Sequence, residues 1–373
     1  MTVTIETKNA TSHLYIHVPF CEQKCPYCDF YSVTGSHERM EPYIDAITRE
    51  IGTSGCMQAE METVYIGGGT PAILSPRLIK KLAAAVRPLL SHRPEVTMEA
   101  NPLTISRDKA ECLIEAGINR ISLGVQSFQP ALRKNLGRQG CVEDVYAAIE
   151  ELRRAGFENI SIDLIFGIPG QEMEDIRHDV EKALSLELDH ISYYELTVKQ
   201  TKYAIAWANE LNRAAMMNAG FYEYVVEKLE QASHVWYETS NFARLGSECR
   251  HNIAYWNGAD YIGIGASAWS TVGHMRWQNI ADIGDYLVAS TTGNWDENRS
   301  YEFLCAKTKK REKLILGLRK SGGIHLGEAE EIIDLIEKNA LVRNGFLNSK
   351  GGKIKLTRAG RFVANEVCAR LLR

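Results

Sequence analysis

The chain lacks any run of about twenty apolar residues, the length a helix needs to cross a bilayer. A membrane span is therefore not expected. The first twelve residues are polar, which argues against a secretory signal. The formal net charge is only −4 at pH 7, too small a bias to serve nucleic acid or an anionic membrane surface. No internal repeat or low-complexity tract is present, which sets aside solenoids. Cysteine usage argues against a disulfide framework. The 9 cysteines are odd in number, and Cys56, Cys112, Cys141, Cys249, Cys305 and Cys368 are scattered singly. This reads as a reducing compartment, and cytoplasm is the expected location.

What is present is an ordinary globular composition with one unusual loop. At 373 residues, 45% hydrophobic and 24% charged, the chain can bury a sizeable core. One large domain plus a small one is the first expectation. The loop holds the other three cysteines, Cys21, Cys25 and Cys28, spaced C-x3-C-x2-C. Thiolates are the usual protein ligands of iron–sulfur clusters, and a closed four-iron cluster takes four. Three ligands from one loop leave one iron open. S-adenosylmethionine (SAM) can bind such an iron through its amino and carboxylate groups. Electron transfer from the cluster then breaks a C–S bond and gives a 5′-deoxyadenosyl radical. The competing readings are a zinc site or buried free thiols. Zinc usually needs a second cysteine or histidine pair, and the sequence offers none.

Apolar, β-rich runs at 14–18, 63–66, 96–99, 120–125, 160–165 and 191–196 predict strands. Amphipathic stretches at 39–51, 76–90, 107–116, 142–155 and 173–186 predict helices between them. Gly117 and Gly156 sit where helix C-cap glycines belong. Six alternating units imply a parallel sheet with crossover helices, too few for a closed eight-fold barrel. A partial (β/α)6 barrel is expected. Further on, a helix is expected over 212–232 and short strands over 235–239 and 261–264. A small winged-helix-like domain should follow, with helices at 309–318, 328–339 and 358–372 and a strand at 354–357. The expected division is a polar segment 1–12, the barrel 13–232, an extension 233–300 and a mainly helical domain 301–373. The polar and glycine-rich motifs all follow strand C-terminal ends, the face where parallel α/β barrels place their active sites.

The cysteine loop resembles the signature of the radical SAM superfamily. Its flanks, Tyr15-x-His17-x-Pro19-Phe20-Cys21 and Cys28-Asp29-Phe30, are similar to the branch around oxygen-independent coproporphyrinogen oxidase and the haem chaperone HemW. The resemblance runs from Tyr15 to the end and implies the same partial barrel. It implies a 4Fe-4S cluster on Cys21, Cys25 and Cys28, and SAM near Tyr15, Phe30, Gly68, Gly69, Thr70 and Glu99. In this reading Gly67-Gly68-Gly69-Thr70-Pro71 holds the SAM amino group; the alternative is a tight turn. Glu99 would accept from ribose hydroxyls; the alternative is a strand-end helix cap. Gln126, Arg138 and Asp163 match residues that contact a second SAM in the oxidases, where an Arg–carboxylate contact suits the methionyl end. The alternative is a salt bridge between Arg138 and Asp163. One SAM or two remains open.

Three further strings carry weaker expectations. Arg250-His251-Asn252-Ile253-Ala254-Tyr255-Trp256 resembles the H-N-x-x-Y-W element associated with haem in the chaperones. His251 would be an axial ligand, with Tyr255 and Trp256 against the macrocycle; the alternative is a hydrogen-bonded joint with aromatic core. Gly263–Trp269 resembles a late glycine-rich element, with Trp269 lining the mouth. The turn 165–171 is as readily structural as ligand-binding, and the basic run 307–313 reads as a solvated helix face.

Phe30 stands where the oxidases carry a fourth cysteine, and only a short polar segment precedes Tyr15. Both argue against coproporphyrinogen decarboxylation. The segment 197–212 departs from the proline-containing loop usual in the chaperones. The leading expectation is a haem-binding radical SAM protein that passes haem to an apo-haemoprotein client. The second is a methyltransferase using two SAM molecules, and the third a radical porphyrin-modifying enzyme. Each needs an electron donor such as flavodoxin or ferredoxin. No catalytic residue can be named.

Overall fold

A computed structural model describes residues 11–54, 60–198, 207–297 and 299–372. Cys56, most of the 1–12 segment and much of the 197–212 loop lie outside the described residues. The central sheet contains β1 (His13–Val18), β2 (Met61–Gly68), β3 (Leu90–Ala100), β4 (Arg120–Gln126), β5 (Asn159–Phe166) and β6 (His190–Glu195). These six run parallel in sequence order, as expected. The sheet does not end there. β7 (Val235–Trp236) and β8 (Asn241–Ala243) extend it antiparallel beyond β6, and β9 (Ile262–Ile264) adds a parallel strand beside β1. Of the strand expected over 235–239 only Val235–Trp236 forms, and the next strand, Asn241–Ala243, lies beyond that range.

Strand side chains alternate faces with a period of two. One face of the sheet is apolar: Leu14, Ile16, Val64, Ile66, Val96, Met98, Ile121, Leu123, Ile160 and Ile162 are all buried in one core. The other carries Tyr65, Glu99, Arg120, Ser122, Asp163, Ser192 and Tyr194, which line a cavity. The barrel therefore encloses a polar lumen, and its hydrophobic core lies between strands and helices.

The covering helices are α1 (His37–Thr53), α2 (Pro76–Val86), α3 (Arg107–Glu115), α4 (Pro130–Asn135), α5 (Val142–Ala155) and α6 (Met173–Ser185). Local chemistry explains their ends. Ser75 caps α2 by accepting from Leu78 N, with Pro76 at the first helical position. Gly156 ends α5 in the left-handed region at φ 98°. Along α2, Leu78, Ile79, Leu82 and Val86 form the buried face. Each such side chain contributes about 1.5–3 kcal/mol when buried, and truncating Leu82 to Ala would cost about 2–5 kcal/mol.

Beyond the sheet lie α7 (Ala208–Gln231), α8 (Arg250–Trp256) and α9 (Ile283–Thr292), with a small antiparallel sheet of β10 (Trp269–Val272), β11 (Met275–Gln278) and β12 (Ser300–Phe303). The C-terminal part has its own core, including Leu314, Leu318, Ile332, Leu341, Ile354 and Leu371. It consists of α10 (Ala306–Leu318), β13 (Ile324–His325), α11 (Leu335–Arg343), β14 (Leu347–Lys350), β15 (Lys353–Leu356), α12 (Arg358–Phe362) and α13 (Ala364–Leu371). β14 and β15 form the wing, turning through Gly351 and Gly352, both at positive φ. Two sequence expectations need correction. The stretch 328–339 is not one helix, because Asp334 caps a new one by accepting from Ile336 N and Glu337 N. The final helix is broken at Val363, whose φ of −121° and ψ of 33° are not helical.

Candidate functional site

The carboxyl ends of the strands open on a cavity of about 630 Å³. The cysteine loop forms one wall and is tied to β2 by backbone bonds: Gly69 N donates to Val18 O (2.9 Å) and Thr70 N to Phe20 O (2.8 Å). His17 secures the return limb, with Nε2 2.9 Å from Tyr31 O. A carbonyl only accepts, so Nε2 carries the proton and Nδ1 accepts from Tyr15 OH at 3.0 Å. Burial lowers the His17 pKa, which keeps the ring neutral in this role. Tyr15 thus stands behind the wall and supports it.

Cys21, Cys25 and Cys28 all face the cavity and are partly exposed. Thr70 Oγ1 donates to Cys21 Sγ at 3.7 Å. Arg138 Nη1 donates to Cys25 Sγ at 3.8 Å. Burial raises the thiol pKa of Cys21 and Cys28, so iron must displace their protons. Among the described residues, no three metal-binding side chains converge on a point that would hold a single ion. A cluster needs no such point, since each thiolate takes its own iron. Three thiols from one loop around an open cavity fit that donor set.

The glycine turn after β2 is demanded by close packing. A Cβ on Gly67 would lie 2.9 Å from the Glu99 carboxyl carbon. Gly68 has φ +118°, and its Cβ would meet the His17 ring at 2.6 Å. A Cβ on Gly69 would sit 2.5 Å from Phe20 O. All three backbones are needed at close range. For Gly69 the neighbour is the cysteine loop, so a bulky residue there would dislodge that loop before reaching a ligand in the cavity.

Glu99 crosses to the same turn. It accepts from Gly68 N and from Tyr65 OH, each at 3.0 Å. Burial, reinforced by the Asp163 charge, pushes its pKa up to about 7. Asp163 accepts from Ser122 Oγ at 3.1 and 3.2 Å. Gln126 sits at a β-bulge with φ +73° and accepts from Tyr194 OH at 3.1 Å. Strained backbone of this kind concentrates at functional positions. Arg138 also donates to Gly124 O. Arg138 and Asp163 are therefore held by other groups, and the salt bridge considered from sequence does not secure them. Phe30 is 67% exposed at the rim.

The second cluster of expectations is arranged differently. His251 is buried at the foot of the barrel, 1% exposed. Its Nδ1 is 2.7 Å from Thr63 Oγ1, and its ring stacks on Tyr65 and meets Tyr255 edge-on at 4.6 Å. Burial pushes its pKa down to about 3. Trp256 instead lies beneath Arg319 of the C-terminal part, 5.6 Å from the guanidinium. His251, Tyr255 and Trp256 thus do not present one open face to a macrocycle, because α8 plugs the barrel end. Trp269 also departs from expectation. It is 43% exposed on β10 and lies outside the cavity lining, its carbonyl packed against Gly263. The 165–171 turn is structural: Gln171 is buried and accepts from Ile168 N. In the basic run, Lys309 and Lys310 pair with Asp260 and Glu331 on the surface.

Sequence reading missed the deep end of the cavity. Arg120 is 2% exposed, lines the lumen and has an unpartnered Nε. Ser122, Ser192 and Asn252 join it. For Arg120, Ser122 and Ser192 the signal was the period-two polar alternation inside the apolar strands, whereas Asn252 sits on α8.

Comparison with known proteins follows the same lines. The family described as "Radical SAM superfamily" matches residues 15–183. A Lactococcus lactis protein named "Heme chaperone HemW" is 38% identical over 318 residues, covering 83% of this chain and 82% of that one. A Bacillus subtilis protein of the same name is 34% identical over 371 residues, covering 95% and 97%. Among solved structures, coproporphyrinogen III oxidase (HemN) from Escherichia coli aligns with TM-score 0.82 over 97% of this chain and 90% of that one. Its 21% identity supports the shared fold. Identity at this level along nearly the full length of the Bacillus relative places the chain in the HemW family of the radical SAM superfamily.

Proposed function

We propose that this chain is a SAM-binding iron–sulfur protein of HemW type that carries haem to an apo-haemoprotein. The observation that carries the reading is the convergence of Cys21, Cys25, Cys28, the glycine turn and Glu99 on one cavity. The cluster, when bound, supplies the electron that cleaves SAM. The protein's own residues hold and orient. Gly68, Gly69 and Thr70 offer close backbone, Glu99 accepts from ribose hydroxyls, and Phe30 covers the rim. The electron donor is proposed to be a small flavodoxin- or ferredoxin-like protein, met in a reducing, cytoplasmic compartment. Among the described residues, no helix is long and apolar enough to cross a membrane.

Haem is proposed as cargo on the strength of the relatives' name. His251 is chemically suited to iron. Its Nε2 has no partner. When Nδ1 donates to Thr63, Nε2 presents a free lone pair, with the ring held as metal-bound imidazoles are. In the present conformation α8 closes this atom off. Ligation through His251 therefore requires α8 to swing away, and haem uptake should be slow and accelerated by mild denaturant. A second reading, a two-SAM methyltransferase, is favoured by Gln126, Arg138 and Asp163 lining the same cavity.

Anaerobic reconstitution with SAM and reductant separates these readings. The assays are 5′-deoxyadenosine, S-adenosylhomocysteine and the Soret band of added haem. Saturable haem binding to cluster-loaded protein, with a band that shifts in His251→Ala, is the expected result. Absence of haem binding together with S-adenosylhomocysteine formation would replace the chaperone with the methyltransferase.

A further inference from the structure

The three cysteines do not have equivalent surroundings. Cys21 faces the neutral hydroxyl of Thr70. Cys28 receives a backbone hydrogen bond at Phe30. Cys25 alone of the three faces a cation within hydrogen-bond reach: Arg138 Nη1 lies 3.8 Å from its sulfur. The Tyr27 side chain faces the same sulfur across the same cavity.

Both side chains are held in place. Arg138 is pinned by its bond to Gly124 O, and the adjacent Gly137 is so close to Pro26 that a Cβ would lie 2.7 Å from the proline ring. Tyr27 packs against the apolar cluster of Leu132, Leu136, Ile165 and Ile168. The loop carrying Arg138 and the loop carrying Cys25 thus dock as a preformed pair.

The potential of an iron–sulfur cluster depends on hydrogen bonds to its sulfurs, net charge and solvent exposure. Reduction adds one negative charge. A cation and a hydroxyl facing one ligand sulfur stabilise that added charge. We propose that Arg138 and Tyr27 raise the reduction potential of the cluster by donating to Cys25 Sγ, a role separate from any contact with SAM. This inference rests on the reading that Cys21, Cys25 and Cys28 hold a four-iron cluster. Reduction transfers one electron from the external donor and makes or breaks no covalent bond at either residue.

The test is a redox titration of reconstituted full-length protein with dithionite, followed by electron paramagnetic resonance in the absence of SAM. Arg138→Met should lower the reduced-to-oxidised ratio at a fixed potential about tenfold, equal to about 59 mV for one electron. Tyr27→Phe should shift it the same way by less, and Arg138→Lys should restore part of the loss. Arg177→Met removes an exposed cation on α6 and should leave the potential unchanged. The proposal is overturned if Arg138→Met and Tyr27→Phe both titrate like the parent, or if Arg177→Met shifts as far as Arg138→Met. Should Arg138→Met fail to assemble a cluster, Tyr27→Phe decides alone. Failure of the parent to assemble one would instead overturn the cluster reading.

Discussion

The buried carboxylate of Glu50, on α1, and the polar lumen inside the barrel are built from similar residues and are finished differently. Glu50 is 1% exposed and receives Tyr286 OH at 2.7 Å, Gly265 N at 2.9 Å, Asn279 Nδ2 at 2.7 Å and Arg299 Nη2 at 2.6 Å. It is closed. The lumen leaves atoms without partners beside the cavity: Arg120 Nε and Arg138 Nε. A satisfied buried network holds elements together, whereas an unsatisfied one beside a cavity marks where a ligand completes the bonding. The Glu50 cluster ties α1, α9 and the turn after β9 into the fold. The lumen is arranged for an occupant.

Substitutions can break this contrast. The largest effect is expected in the cysteine loop. Replacing Cys21, Cys25 and Cys28 together with Ala should abolish cluster absorbance, while Cys141→Ser and Cys305→Ser retain it. A full cluster in the triple variant would end the radical SAM reading. Next comes Glu50→Ala, which strands the Arg299 charge and should cost about 3–5 kcal/mol in denaturant unfolding. SAM affinity of the folded fraction should stay within about twofold. A selective loss of SAM binding would contradict the division drawn here.

Glu99→Gln should do the reverse. It should weaken SAM by about 1.5–3 kcal/mol, the worth of a charged hydrogen bond, without lowering the melting temperature. The pH dependence follows from the raised pKa of about 7. Below it Glu99 is protonated; above it the carboxylate accepts from hydroxyls, so SAM should bind more tightly as pH rises through 7. The same shift means that ionising Glu99 costs the empty fold stability as pH rises from the ordinary carboxylate range to about 7. Calorimetric titration across that range should show the SAM trend in the parent and a flat profile in Glu99→Gln. The smallest effect is expected at Arg120. If its guanidinium serves an occupant more than the fold, Arg120→Met should change unfolding free energy by no more than about 1 kcal/mol. A cost matching that of Glu50→Ala would make Arg120 part of the frame.

Much of this was legible in the chain. The apolar runs placed all six parallel strands, because strands covered by helices must be apolar on their outer face. The cysteine spacing and the strand-end motifs marked the mouth. Reading strands as runs hid the second half of their pattern. Arg120 and Ser122 look like interruptions in a hydrophobic segment until their period of two is noticed. Of the edge strands, β7 and β9 fall inside the short strands expected over 235–239 and 261–264, whereas β8, three residues long, is too short to carry a pattern. The foot of the barrel was illegible for another reason. His251 meets Thr63 across 188 positions of sequence, and nothing local reports that a short helix closes the lumen.

The contact between Gly69 and Phe20 has a bearing on how such proteins can be recombined. Two segments about fifty residues apart share one backbone surface with no room for a single carbon between them. Neither can be moved into another scaffold alone. A cysteine loop grafted without its matching glycine turn would meet a side chain where this fold has bare backbone. The transferable unit is therefore the β1–β2 pair with both of its exits, and designed chimeras should place their junctions outside residues 13–71.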